Sequence, residues 1–128
     1  MQNRVVVHTA DGRIFKGTTA DFFPNKELFH LGEEGTGATH DIQVAALKAV
    51  YFVKTFEGRR DYQERADTER VGCGRKIKIC FSDGETQFGY TQGYAPNRTG
   101  FFVFPVDPES NNERIYVVTA ATTRIEFV

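Results

Sequence analysis

The sequence has no tryptophan, one methionine, four prolines and only two cysteines in 128 residues. Cys73 and Cys80 lie too close together, and are too few, to staple a small secreted scaffold. No apolar run approaches the roughly 18 residues that a membrane-spanning helix needs. The opening Met-Gln-Asn-Arg-Val-Val-Val lacks the apolar stretch of a signal peptide. The expected location is therefore the cytoplasm, with both thiols reduced.

An excess of one charge is also missing. The chain carries 16 basic and 17 acidic residues. Residues 1–53 hold five basic and six acidic side chains, and residues 75–128 hold six of each. A phosphate-tracking surface needs a clustered positive excess, which neither part supplies. Catalytic signatures are absent too: there is no Gly-x-Ser-x-Gly, no Walker loop and no Cys-x-x-Cys. His8 and His30, read as neighbours on adjacent strands, would need Asp41 or Glu33 to hold a metal. Histidines on strands are far more often ordinary packed side chains. No enzyme, cofactor or metal is expected.

What is present is a core. Hydrophobic residues make up 40% and aromatics 13% of the chain, with 12 phenylalanines. That much apolar surface excludes global disorder.

The chain also says nearly the same thing twice. Val5-Val6-Val7-His8-Thr9-Ala10-Asp11-Gly12 is followed by Gly17 and then Phe22-Phe23-Pro24-Asn25. Seventy-two residues later, Ile77-Lys78-Ile79-Cys80-Phe81-Ser82-Asp83-Gly84 is followed by Gly89 and Tyr94-Ala95-Pro96-Asn97. Over Arg4 to Leu31 seven of 28 positions are identical at this offset, where chance gives roughly one or two. A second match, at offset 75, aligns Ala45-Ala46 with Ala120-Ala121 and Phe52-Val53 with Phe127-Val128. The extra residues fit the loop from Pro105 to Arg114. An internal repeat constrains architecture before function.

Each copy reads as five strands. Alternating β-branched residues give strands at Val5–Thr9, Arg13–Asp21, Glu27–Gly32, His40–Val44 and Ala49–Lys54. The second set is Arg75–Phe81, Glu85–Gly93, Gly100–Pro105, Arg114–Val118 and Thr123–Val128. Asp11-Gly12 and Asp83-Gly84 are hairpin-turn signals. Gly17 marks a bend or bulge. The Ala45–Lys48 and Thr119–Thr122 segments are too short for α-helix and fit single 3₁₀ turns.

Strongly bent strands of this length close most easily into small barrels. The expected fold is all-β: two five-stranded SH3-like or Sm-like small barrels at residues 1–54 and 75–128. A charged linker, 55–74, joins them, with a short helix considered at Asp61–Glu69; the two barrels are either independent domains or packed face to face as one pseudo-symmetric unit, with the linker crossing the seam.

Val5, Val7, Asp11-Gly12-Arg13, Phe15, Gly17 and Leu28 resemble the first Sm motif over about 50 residues. The second copy departs from it, with Gln87 in the place of Phe15 and the aromatic at Phe88. The resemblance implies single-stranded RNA binding, but the residues that grip a base in that family are missing. Their positions hold Phe23 and Glu27 in one copy, Ala95 and Thr99 in the other. Leu47-Lys48-Ala49 and Thr122-Thr123-Arg124 stand where that family has Ile-Arg-Gly. An RNA surface would have to use Tyr90, Tyr94, Arg98 and Phe101 instead.

The stretches Phe52–Tyr62, Gly89–Tyr94, Phe101–Pro105 and Ser110–Arg114 are also similar to an uncharacterised bacterial domain family. Its members occur alone or beside PilZ and response-regulator modules, which implies a regulatory setting. Cyclic-dinucleotide binding would use Arg59, Arg60 and Arg65, but the polar partner motif of PilZ domains is absent.

The reading that remains is a non-catalytic protein-interaction module whose partner is another protein. Single-stranded nucleic acid is the alternative. Tyr90, Tyr94, Arg98, Asn112 and Arg114 are the candidate partner-binding residues.

Overall fold

The structure, a computed structural model, describes residues 2–58, 62, 63, 65 and 68–128. It is all-β, as expected. The strands are β1 (Asn3–Thr9), β2 (Ile14–Thr19), β3 (Leu28–Glu33), β4 (Thr39–Gln43) and β5 (Leu47–Val53). They continue with β6 (Arg75–Phe81), β7 (Thr86–Thr91), β8 (Gly100–Pro105), β9 (Asn112–Val118) and β10 (Thr122–Phe127). Single 3₁₀ turns, Val44–Ala46 and Thr119–Ala121, precede β5 and β10. The helix considered at Asp61–Glu69 falls partly outside the described residues, and Tyr62, Gln63, Arg65, Thr68 and Glu69 carry none.

All ten strands join in one open antiparallel sheet, ordered β10-β6-β7-β8-β9-β5-β1-β2-β3-β4. Closure of either half into a barrel is not part of the pairing. Each half nevertheless pairs in the same order and register. Val5 opposes Phe52 as Ile77 opposes Phe127, and Phe29 opposes Ile42 as Phe101 opposes Val117. The irregularity that skips Lys48 on β5 has its match on β10, which skips Thr123.

Turn chemistry explains why both halves bend alike. Gly12 and Gly84 both have φ of 95° at the tips of their hairpins. At Gly17 a Cβ would meet the Gly32 carbonyl oxygen at 2.1 Å. At Gly89 it would meet the Val103 side chain at 2.3 Å. Only glycine lets the crossing strands approach this closely, and only two residue pairs hold β2 to β3 or β7 to β8.

The halves meet at β5 and β9, where Val50 opposes Tyr116 and Tyr51 opposes Ile115. β5 is buried along its whole length. Val50 and Phe52 pack into the first hydrophobic cluster with Val5, Val7, Phe29 and Leu31. Ala49, Tyr51 and Val53 pack into the second with Ile77, Ile79, Phe101 and Val103. β9 does the converse: Tyr116 and Val118 complete the first cluster, while Ile115 and Val117 belong to the second. Each core is thus built from both halves of the chain.

The connector is fastened to the second half. Asp107, fully buried, accepts hydrogen bonds from the Tyr62 hydroxyl, the Arg65 amide and the Arg65 guanidinium. These bonds hold its carboxyl well below the usual carboxylate range, the Arg65 side chain contributing most. Arg70 donates to the Pro105 carbonyl at 2.8 Å.

Candidate functional site

Two turns meet across the seam between the halves. In the first, the Lys26 amide donates to the Phe23 carbonyl at 3.0 Å. In the second, the Arg98 amide donates to the Ala95 carbonyl at 3.1 Å. Pro24-Asn25 and Pro96-Asn97 occupy the central positions of these two turns, where proline presets the first φ. Behind the turns, Val44 donates to Glu27 and Thr119 to Thr99, each at 2.9 Å. The duplicated Pro-Asn pairs therefore have a common geometric job.

Beneath the turns lies an aromatic group drawn from both halves. Phe22 packs edge-on against Phe29 and Tyr116, each with ring centroids 5.1 Å away, and against Phe52 at 5.5 Å. Phe102 stacks on Tyr116 at 5.1 Å. Such edge-to-face contacts fix ring orientation as well as burying area. The Arg114 guanidinium lies 4.4 Å from the Phe52 ring centre and 4.8 Å from that of Phe102.

Between the turns is a cleft of about 450 Å³, lined by Pro24, Asn25, Asn97, Arg98, Thr99, Gly100 and Tyr116. Gly100 is needed there because a Cβ would strike the Tyr116 ring at 2.6 Å. Burial pushes the Tyr116 hydroxyl up in pKa, while the positive charge of Arg98 pulls it down. Arg98 and both asparagines are exposed. The cleft thus offers one guanidinium and two amides over an aromatic base.

The five residues singled out from sequence separate here. Arg98 lines the cleft, and Arg114 reaches the aromatic group under it. Tyr94 packs against Phe101 and Phe127 at 4.9 and 5.9 Å, beside the second core. Tyr90 is buried on β7, and its hydroxyl donates to the Thr68 carbonyl at 3.2 Å. Asn112 opens β9, opposite Val53. Its neighbour Asn111 is a fastening, exchanging hydrogen bonds with Thr55 through its side chain.

Tyr90 and Phe101 are 6% and 3% exposed, so neither presents a face for a base to stack on. Asn25 and Tyr116 were missed in the sequence. The repeated Pro-Asn pair was the signal for Asn25; nothing local marks Tyr116.

Other candidate chemistry is dispersed. His8 and His30 are not on adjacent strands, because β2 lies between β1 and β3. His8 packs on Tyr51 with ring centroids 4.8 Å apart, and burial lowers its pKa. His30 sits 2.6 Å from Asp21 and 3.4 Å from Asp41. Among the described residues no group of three or more His, Cys, Asp or Glu side chains could hold a metal ion. Arg59 and Arg60 lie outside the described residues, and Arg65 pairs with Asp107 and Glu109.

A second polar cluster lies where β5 begins. Lys48 is 8% exposed on β5 and sends its ammonium to Asp83 at 2.7 Å and to Glu85. It lies 4.7 Å from the Phe81 ring centre. Burial works against its charge, but the two carboxylates outweigh that and raise its pKa. Beside it, burial pushes the Tyr51 hydroxyl up to about 12. The cluster clamps the two halves together, Lys48 from one and Asp83 and Glu85 from the other.

Among the described residues no helix is long and apolar enough to cross a membrane. The chain belongs to a family of unknown function, DUF6982, whose family model matches residues 1–128. No curated protein and no solved structure gives a significant match.

Proposed function

We propose that this member of the DUF6982 family is a non-catalytic interaction module of the cytoplasm, in which two small-barrel-like halves share one seam. It offers the cleft between its two Pro-Asn turns to a partner protein. One observation carries this reading: duplicated turns from both halves converge on a cleft whose polar groups the fold does not consume. Asn25, Asn97 and Arg98 are exposed there, over an aromatic base held rigid from below. A lone guanidinium flanked by amides fits an acidic side chain and the backbone around it. It does not form the basic track that nucleic acid requires.

The test uses the full chain with a photo-crosslinking residue at Asn97, and a control carrying it at Glu57 in the connector. The expected result is a crosslinked protein at position 97 that disappears with Arg98→Glu and is absent at position 57. Equal crosslinking at both positions, or none, overturns the cleft as the site. A crosslinked species that nuclease removes, together with oligonucleotide binding that weakens steeply with salt, favours the RNA alternative.

A further inference from the structure

The seam can be compared with the two free edges of the same sheet. β5 holds the place in its half that β10 holds in the other, and β9 corresponds in the same way to β4. The pairing registers set the counterparts residue by residue. Ala49 and Tyr51 of β5 correspond to Arg124 and Glu126 of β10. Tyr116 and Val118 of β9 correspond to Asp41 and Gln43 of β4.

At the seam these four positions are apolar and face the core of the opposite half. Ala49, Tyr51, Tyr116 and Val118 are all buried. At the edges the four counterparts are charged or polar. Arg124, Asp41 and Gln43 are exposed, and Glu126 is half-buried. Arg124 pairs with Glu126 along its own strand, and Asp41 lies 3.4 Å from His30. Of the remaining paired positions, the polar His40 and Thr122 match Ile115 and Leu47, and three stay apolar. Ile42 matches Val117, Ile125 matches Val50, and Phe127 matches Phe52.

The two edges are thus of complementary kind. A β10 edge meeting the β4 edge of a second copy would repeat the seam head to tail, and such a contact has no built-in end. Unpaired edges of this sort are an aggregation hazard that charged side chains suppress.

We infer that β4 and β10 are two halves of a self-pairing interface held inactive by Asp41, Gln43, Arg124 and Glu126, so that the chain works as a single copy. Pairing would bury these four polar groups where the seam buries apolar ones, at the desolvation cost that charged and polar side chains carry.

The experiment restores the seam residues at the edges. One variant carries Asp41→Tyr with Gln43→Val. A second carries Arg124→Ala with Glu126→Tyr, and a third carries all four changes. Sedimentation over a concentration series reads the mass, and circular dichroism reports the fold. The wild type is expected to be monomeric and the fourfold variant to grow past a dimer as concentration rises. Each single-edge variant alone stays monomeric, while a mixture of the two stops at a one-to-one pair. A wild type already paired through β4 and β10, shown by slow amide exchange on both strands, overturns the inference. So does a mixture of folded single-edge variants that remains monomeric. That mixture decides the matter even where the fourfold variant does not fold.

Discussion

Tyr116 belongs to β9, yet its ring packs 5.1 Å from that of Phe22, in the turn after β2. The contact joins residues from opposite halves, and Tyr116 is 2% exposed within the first core. Removing the ring takes apolar contact away from a half of the molecule to which Tyr116 does not belong. Tyr116→Ala should cost about 3–5 kcal/mol, the range for deleting a buried aromatic side chain. Denaturant unfolding measures it, and a loss well under 1 kcal/mol would show that the first core closes without help.

Lys48→Ala tests the clamp at the start of β5. Asp83 and Glu85 keep about half their surface in water and rehydrate once the ammonium is gone. The expected loss is therefore modest, about 1–2 kcal/mol at neutral pH. Lys48 depresses the Asp83 pKa below its ordinary value of 3.8. The stability from this pair is present above that value and fades as pH falls below it. Wild type and variant should accordingly converge in acid unfolding curves; a constant gap would assign the loss to packing alone.

The Asp21–His30 pair has a pH window of its own. The hydrogen bond from His30 holds Asp21 down to about 2, against an ordinary value of 3.8. The same bond raises His30 above 6.5. A depressed carboxylate stabilises above its unfolded pKa, and a raised histidine stabilises below its own. The pair therefore contributes most between about pH 4 and 6.5. Its contribution declines as pH falls toward 2 and as pH rises through the elevated His30 value. An NMR titration of His30 should give a midpoint above 6.5 that drops when Asp21 is changed to Asn. An unchanged midpoint would remove Asp21 as the cause.

Gly17→Ala and Gly89→Ala test the close approaches that bend each half. The added Cβ would meet backbone oxygen at 2.1 Å in the first case. In the second it meets a side chain at 2.3 Å and backbone oxygen at 2.6 Å. Each should destabilise by roughly 1–3 kcal/mol, as overpacking does. Backbone gives less readily than side chain, so Gly17→Ala is expected to be the worse. Faster amide exchange confined to β2 and β3, or to β7 and β8, would locate the strain.

Much of this was legible in the chain itself. Asp-Gly, the two crossing glycines and the Pro-Asn pairs each specify local backbone, and local backbone is what turn residues report. The strands followed from alternation, within a residue or two at most ends. The sequence leaves one packed unit and two independent domains both open, for two reasons. Alternation says which face of a strand is buried but not against whose core. The unbroken apolar run Ala49–Val53 was the available sign of a strand buried on both faces. Lys48 hid its role as well, because Asp83 and Glu85 lie in the other half and the Ala45–Lys48 segment reads as a 3₁₀ turn. The cleft inherits the same difficulty, since Tyr116 acquires its position only from the β5–β9 pairing.

Calorimetric unfolding of the full chain tests most directly the claim that the halves form one unit whose seam carries the site. A single transition is predicted, with calorimetric and van't Hoff enthalpies equal, and Tyr116→Ala should shift all of it to lower temperature. Two transitions, with Tyr116→Ala moving only one of them, would mean that the halves fold independently, and would contradict the account.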